Sequence, residues 1–179
     1  MKKVNLLLST ICIATIIVFT SCAPVTIPFK GNYDETFNIT SDKPIDEVWS
    51  NIIDIFAQKG VSIGVIDKSS GLITSGRTSF LSSYTFEDNN GQLEDKYAFV
   101  VVKKLSIAGQ QLRPSTIYGT WNVRLKNTSD NKTNININLI VDDVNGQQRN
   151  MYGQNVGSPY PMEAKSTHVF ERLIAELIK

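Results

Sequence analysis

The octet Asn134-Ile135-Asn136-Ile137-Asn138-Leu139-Ile140-Val141 alternates amide and aliphatic side chains almost without fault. Successive strand side chains point to opposite faces, so the pattern buries one face and wets the other, as in an antiparallel sheet covered on one side. The cover must carry an apolar stripe of its own. Two segments offer one. Ile45, Val48, Trp49, Ile52 and Phe56 recur at steps of three and four and predict a helix stopping near Gly60, with Ser41 or Asp42 as its cap and Pro44 in its first turn. Val169 with Phe170, Leu173 with Ile174 and Leu177 with Ile178 step by four and predict a second helix at the end of the chain.

Further strands are expected at Tyr33 to Thr40, at Val61, Ile63 and Val65, and, after a turn from Asp67 to Gly71, at Leu72 to Thr78 as the hairpin partner of the Val61–Val65 strand. Others are expected at Tyr97 to Lys104 and Ile117 to Lys126, the latter with Ile117, Trp121, Val123 and Leu125 on one side. Residues 79 to 95 give no clear signal, and the stretch from Asp142 to Tyr160, rich in Gly, Asn and Gln, reads as a loop. The expected fold class is therefore α+β: a single antiparallel sheet of about five to six strands with two helices packed on one face, in the helix-grip-like order β-α-β(4-5)-α.

The start of the chain has a different character. Lys2 and Lys3 precede an apolar run from Leu6 to Phe19, and Thr20-Ser21 follows, which is the layout of an export signal. Ser9, Thr10 and Thr15 break the run, leaving it short of the roughly 20 apolar residues of a membrane-spanning helix. The quartet Phe19-Thr20-Ser21-Cys22 resembles the lipobox of bacterial lipoproteins, with Phe19 where an aliphatic residue is usual. That resemblance implies cleavage before Cys22 and acylation of it. The expected organisation is 1–21 signal peptide, 22–33 lipidated tether carrying Pro24, Pro28 and Gly31, and 34–179 globular domain.

Ala23, where an Asp would imply retention at the inner membrane, makes the resemblance point to the outer membrane, lipid-anchored and facing the periplasm. Removing Lys2 and Lys3 leaves 16 basic residues (18 minus 2) against 17 acidic, a balance that argues against nucleic acid as a partner. Cys12 and Cys22 are the only cysteines, so a chain cleaved and acylated at Cys22 holds neither a disulfide nor a cysteine metal site.

The stretch from Asn38 to Ile52 (Asn-Ile-Thr-Ser-Asp-Lys-Pro-Ile-Asp-Glu-Val-Trp-Ser-Asn-Ile), then Lys59-Gly60, then Asp67-Lys-Ser-Ser-Gly-Leu-Ile73, resembles the domains of the outer-membrane lipoprotein BamC. The resemblance implies a helix-grip fold and a role among the accessories of outer-membrane barrel assembly. Its motifs cover about 40 residues, and the chain has room for one such domain.

No set of residues stands out as catalytic. Gly60-Val61-Ser62-Ile63-Gly64 has the form of a nucleophile elbow, with Asp142 and His168 following in hydrolase order. That elbow needs a strand before the serine and a helix after it, whereas here the order is reversed. His168 is the sole histidine, and it excludes any site built on two imidazoles. Asp142-Asp143 and Glu87-Asp88-Asn89-Asn90-Gly91 lack the ligand spacing of a calcium loop and read as turns.

The chain is thus expected to be no enzyme and to need no cofactor or metal. It is expected to be a membrane-anchored accessory that binds an envelope protein. The alternative is a carrier or sensor holding a lipid or small apolar ligand in a cavity lined by Trp49, Phe56, Trp121 and Phe170.

Overall fold

The computed structural model describes residues 23–128 and 130–178. In chain order these form β1 (Val25–Thr26), β2 (Phe37–Ser41), α1 (Ile45–Gln58), β3 (Ile63–Asp67), β4 (Leu72–Ser75), β5 (Thr78–Ser79), β6 (Tyr84–Thr85) and β7 (Val100–Val102). There follow β8 (Leu105–Ile107), β9 (Gln110–Gln111), β10 (Arg113–Asn127), β11 (Thr133–Arg149), β12 (Asn155–Pro161), β13 (Ala164–Ser166) and α2 (Val169–Ile178).

The expectation of one sheet of five to six strands is overturned. The protein is mostly β, with 46% strand, 15% helix and three sheets. The largest has seven strands and is organised on the β10–β11 hairpin, which pairs from Arg113↔Gln147 to Asn127↔Thr133. β4, β5 and, beyond β4, β3 lie on the β10 side, while β2 and β12 both lie against β11. A small sheet joins β1, β8 and β9; another joins β13, β7 and β6, the last two running parallel. The loop expected from Asp142 to Tyr160 is instead the end of β11 and most of β12. Its Gly, Asn and Gln residues sit in a hairpin, where the Asn150 side chain closes the turn and Gln147 donates to the Gly157 carbonyl.

The inward side chains of the large sheet are those of the alternation: Ile135, Ile137 and Leu139 on β11, and Ile117, Trp121, Val123 and Leu125 on β10. The helices pack on each other and on β10, and bury Val48, Trp49, Ile52, Ile55 and Phe56 of α1 with Phe170, Ile174 and Ile178 of α2. At about 1.5–3 kcal/mol per large side chain buried, this common core dominates the stability of the fold. Leu105, Ile107 and Leu112 form a separate small cluster, joined by the partly buried Met162.

The start of α1 differs from expectation. Pro44 occupies the N-cap without a side-chain cap bond. Ser41 accepts a bond from the Lys43 amide at 3.3 Å and donates to the Ile178 carbonyl at 2.9 Å, tying the last turn of α2 to the end of β2. β3 is a strand, but it lies at the sheet edge with Ile63, Val65 and Ile66 exposed, and so does not bury the face that its alternation suggested.

Residues 25–33, within the expected tether, lie along the domain. β1 pairs with β8, and the Ile27 amide donates to the Lys104 carbonyl. Glu87, buried, accepts from the amides of Lys30 (2.9 Å) and Gly31 (2.8 Å) and from the Tyr33 hydroxyl (2.8 Å).

Candidate functional site

The residues expected to line a ligand cavity meet in the core. Phe170 of α2 lies with its ring centroid 4.4 Å from Trp121 of β10 and 6.3 Å from Phe56 of α1, and Trp49 belongs to the same cluster. Phe80 and Phe99 close on Trp121 and Phe170 at 5.8 and 5.5 Å. Two broad concavities of about 520 and 430 Å3 are walled by other residues. Cys22 lies outside the described residues.

The elbow-like motif has a backbone explanation. Gly60, at φ +67, ends α1: its amide bonds the Ala57 carbonyl and the next amide, of Val61, bonds that of Phe56. Gly64 stands at an irregularity in the β3–β4 pairing, where a Cβ would meet the Ser75 carbonyl oxygen at 2.8 Å. Asp142 and Asp143 face Arg77, which bonds Asp143 at 2.7 Å and stacks over Tyr118, whereas His168 packs edge-on against Phe37. The Ser62 carbonyl accepts from the Gly76 amide at 2.7 Å, so Ser62, Asp142 and His168 are each engaged with different neighbours. Asp88 accepts from the amides of Asn90 and Gln92, closing a turn. Among the described residues no group of three or more His, Cys, Asp or Glu is gathered as a metal site.

The larger concavity spans the outer face of the sheet over Asn38, Thr40, Arg124, Lys126, Asn134 and Asn136. Much of its polar layer is satisfied within itself: Thr40 donates to Asn134 at 2.7 Å and Asn136 to Asn38 at 2.8 Å. The second concavity is chemically more open. β2 pairs β11 only as far as Ile137, and β12 takes up the same side only from Asn145, with Met162 donating to the Val144 carbonyl. Between them, over residues 138–143, β11 has no strand partner on that side among the described residues.

Asn138, Leu139, Ile140 and Val141 form the floor of this groove. Tyr33, Asp34, Glu35 and Thr36 make one wall, and Glu163 to Ser166 with His168 make the other. The interruption coincides with a bulge in the β10–β11 pairing. Asp142 is an extra residue opposite the Tyr118/Gly119 step, and the chain there presses on Gly119, whose Cβ would stand 2.6 Å from the Ile140 oxygen. The side chain sides of β11 exchange at this bulge, from Leu139 inward to Val144 and Gly146 inward.

The groove holds three carboxylates, Asp34, Glu35 and Glu163, against one ammonium, Lys165, which pairs with Asp34 and lies 3.8 Å from Glu163. The Asp34 hydrogen bond raises the Lys165 pKa, so its charge is secure. Burial and the Arg172 charge lower that of His168, against the pull of Glu35, which favours neutral imidazole near pH 7. Lys103 also pairs with Glu163, so three carboxylates meet two ammonium groups, and the site is a trough with one negative charge in excess and unpaired main chain at its base. The alternation in 134–141 foretold the strand at its floor; of the walls, His168 stood out as the sole histidine and Tyr33 to Thr36 as part of an expected strand, but nothing in the sequence placed them beside Glu163 to Ser166 or marked where β2 stops and β12 begins.

Comparison with known protein families and with curated proteins finds no match to this chain.

Proposed function

We propose that the protein is a noncatalytic, lipid-anchored lipoprotein of the outer membrane, facing the periplasm, and that its domain receives an extended, basic segment of another envelope protein along the open edge of β11. The observation that carries this reading is the unpartnered stretch 138–143 between β2 and β12. Exposed strand edges present unpaired amides and carbonyls, and an added strand satisfies them while side chains on the walls select the sequence. Three carboxylates against Lys165 and Lys103 leave one negative charge in excess, which favours a segment carrying Lys or Arg. The Cys22 motif supports the anchor. The stretch that resembles BamC, which forms β2, α1 and the β3–β4 hairpin, supports an accessory role at the envelope.

A photo-crosslinking residue placed at Ile140 in the acylated chain, in intact cells, tests the reading. The expected result is a crosslink to one defined extended segment of an envelope protein, lost when Glu35 and Glu163 are both changed to Lys. Absence of any protein crosslink at Ile140, with the chain correctly located, would defeat the proposal.

A further inference from the structure

One end of the molecule gathers three chain segments. Val25 pairs with Ser106, so the chain leaving β1 toward its N-terminus runs toward the Ala108-Gly109 turn between β8 and β9. From that hairpin Gln110 donates its side-chain amide to the Arg149 carbonyl at 2.8 Å. Arg149 begins the turn from β11 to β12, whose tip carries Met151 and Tyr152, 90% and 81% exposed and the most exposed large apolar side chains among the described residues.

The tip is built to leave water. The Asn150 side chain accepts from the amides of Tyr152 and Gln154, both at 3.0 Å, while the Asn150 amide donates to the Gln154 carbonyl and that of Gly153 to the Asn150 carbonyl. Four main-chain donors are thereby satisfied internally, which lowers the cost of placing this backbone where water is scarce. The charge pattern agrees. No Asp or Glu occurs from residue 23 to 33, from 96 to 129 or from 144 to 162, and Arg113 and Arg149 stand at this end of β10 and β11. The position of the anchor completes the case. Two residues separate Val25 from Cys22, so the chain can place their Cα atoms no more than about 11 Å apart.

We infer that this end docks on the phospholipid bilayer: Met151 and Tyr152 enter the headgroup region beside the lipid on Cys22, and Arg149 stands behind them against lipid phosphates. Tyrosine suits that depth, with an apolar ring and a wet hydroxyl. The inference rests on acylation of Cys22. It also fixes the orientation of the domain, because Ile140 lies ten residues back along β11 from Asn150, placing the open groove up to about 30 Å from the tip.

The test uses the full chain with Met151→Cys. Once the signal is removed and Cys22 acylated, the new thiol is the only free one. It is labelled with an environment-sensitive fluorophore and reconstituted in vesicles of phosphatidylethanolamine and phosphatidylglycerol containing doxyl-labelled lipid. Ser69→Cys, in the exposed β3–β4 turn at the opposite end of β10, is the reference. The expected result is a blue shift and loss of most emission at position 151, with neither at position 69. Emission at 151 as wet as at 69, in a chain whose mass shows acylation, overturns this inference and leaves the anchor standing; equal quenching at both positions does the same. A chain whose mass shows no acyl group, and whose Cys22 thiol also takes the label, overturns the anchor and this inference together.

Discussion

Gly71 and Glu171 show how much single positions carry. Gly71 stands at φ +72 in the β3–β4 turn, where a Cβ would lie 2.2 Å from the Leu125 carbonyl oxygen, and its own carbonyl accepts from the Leu125 amide at 2.8 Å. An added methyl group must both hold a left-handed conformation and displace backbone of the central strand. Gly71→Ala is expected to destabilise the fold by about 2–4 kcal/mol, read as a fall in the urea midpoint without change in slope. Glu171 is 1% exposed; Ser166 donates to its Oε1 at 2.6 Å, and its Oε2 has no hydrogen-bond partner among the described residues. Burial raises its pKa, against the Ser166 hydrogen bond. A carboxyl whose folded pKa is raised stabilises below its unfolded pKa and loses that contribution as pH rises through the folded value. Glu171→Gln keeps a polar group of the same shape without the charge. It is expected to gain roughly 1 kcal/mol at pH 8 and little at pH 4, so parallel denaturation curves at the two pH values check it.

At the scale of elements, the segment 25–33 depends on Glu87. Burial alone would raise the Glu87 pKa, but the amides of Lys30 and Gly31 and the Tyr33 hydroxyl, all donating to the carboxylate, bring it below the ordinary 4.5. Burial beside the same carboxylate pushes the Tyr33 hydroxyl up. Because the folded pKa of Glu87 is depressed, its stabilisation is present above pH 4.5 and fades as pH falls through the folded value. Amide exchange at Lys30 and Gly31, corrected for its intrinsic pH dependence, is expected to lose protection as the solution is acidified below pH 4. Glu87→Ala should remove that protection at pH 7 and cost about 1–3 kcal/mol. If both amides stay protected in that variant, the carboxylate is not what holds the segment.

Across the whole molecule, two clusters of unequal size set a hierarchy of opening. The large core joins both helices to the seven-stranded sheet through Trp121 and Phe170, whereas the β1–β8–β9 sheet rests on Leu105, Ile107, Leu112 and Met162. Segments with few buried apolar contacts open at lower free energy. Native-state hydrogen exchange is therefore expected to show β8 and β9 opening before β10 and β11. Trp121→Ala, which empties the junction of the helices and the sheet, should cost about 3–5 kcal/mol and erase the difference by lowering global stability toward the local value. Exchange of β8 at the same free energy as β11 in the unaltered protein would show one cooperative unit instead.

The sequence by itself determined the elements whose evidence is local. The steps of three and four in 45–56 and 169–178 place apolar side chains on one face whatever surrounds them, and both helices form at those positions. The alternation in 134–141 likewise marks β11, and Asp67 with Gly71 marks a turn that the Ser69 and Ser70 amides close on the Asp67 carboxylate, whose pKa the Ser69 and Ser70 side chains, with those amides, lower to about 2. Beyond the β3–β4 hairpin, which that turn implied, tertiary structure alone decided what each strand pairs with. Strand pairing is set by distant chain and by bulges such as that at Asp142, so the division into three sheets had no local signature. For the same reason the open edge over 138–143, the walls of Asp34, Glu35, Glu163 and Lys165, and the seating of 25–33 on Glu87 arise only when segments far apart in sequence meet. A periodic side-chain pattern states which face of a strand is covered; it says nothing of which edge is left unpaired.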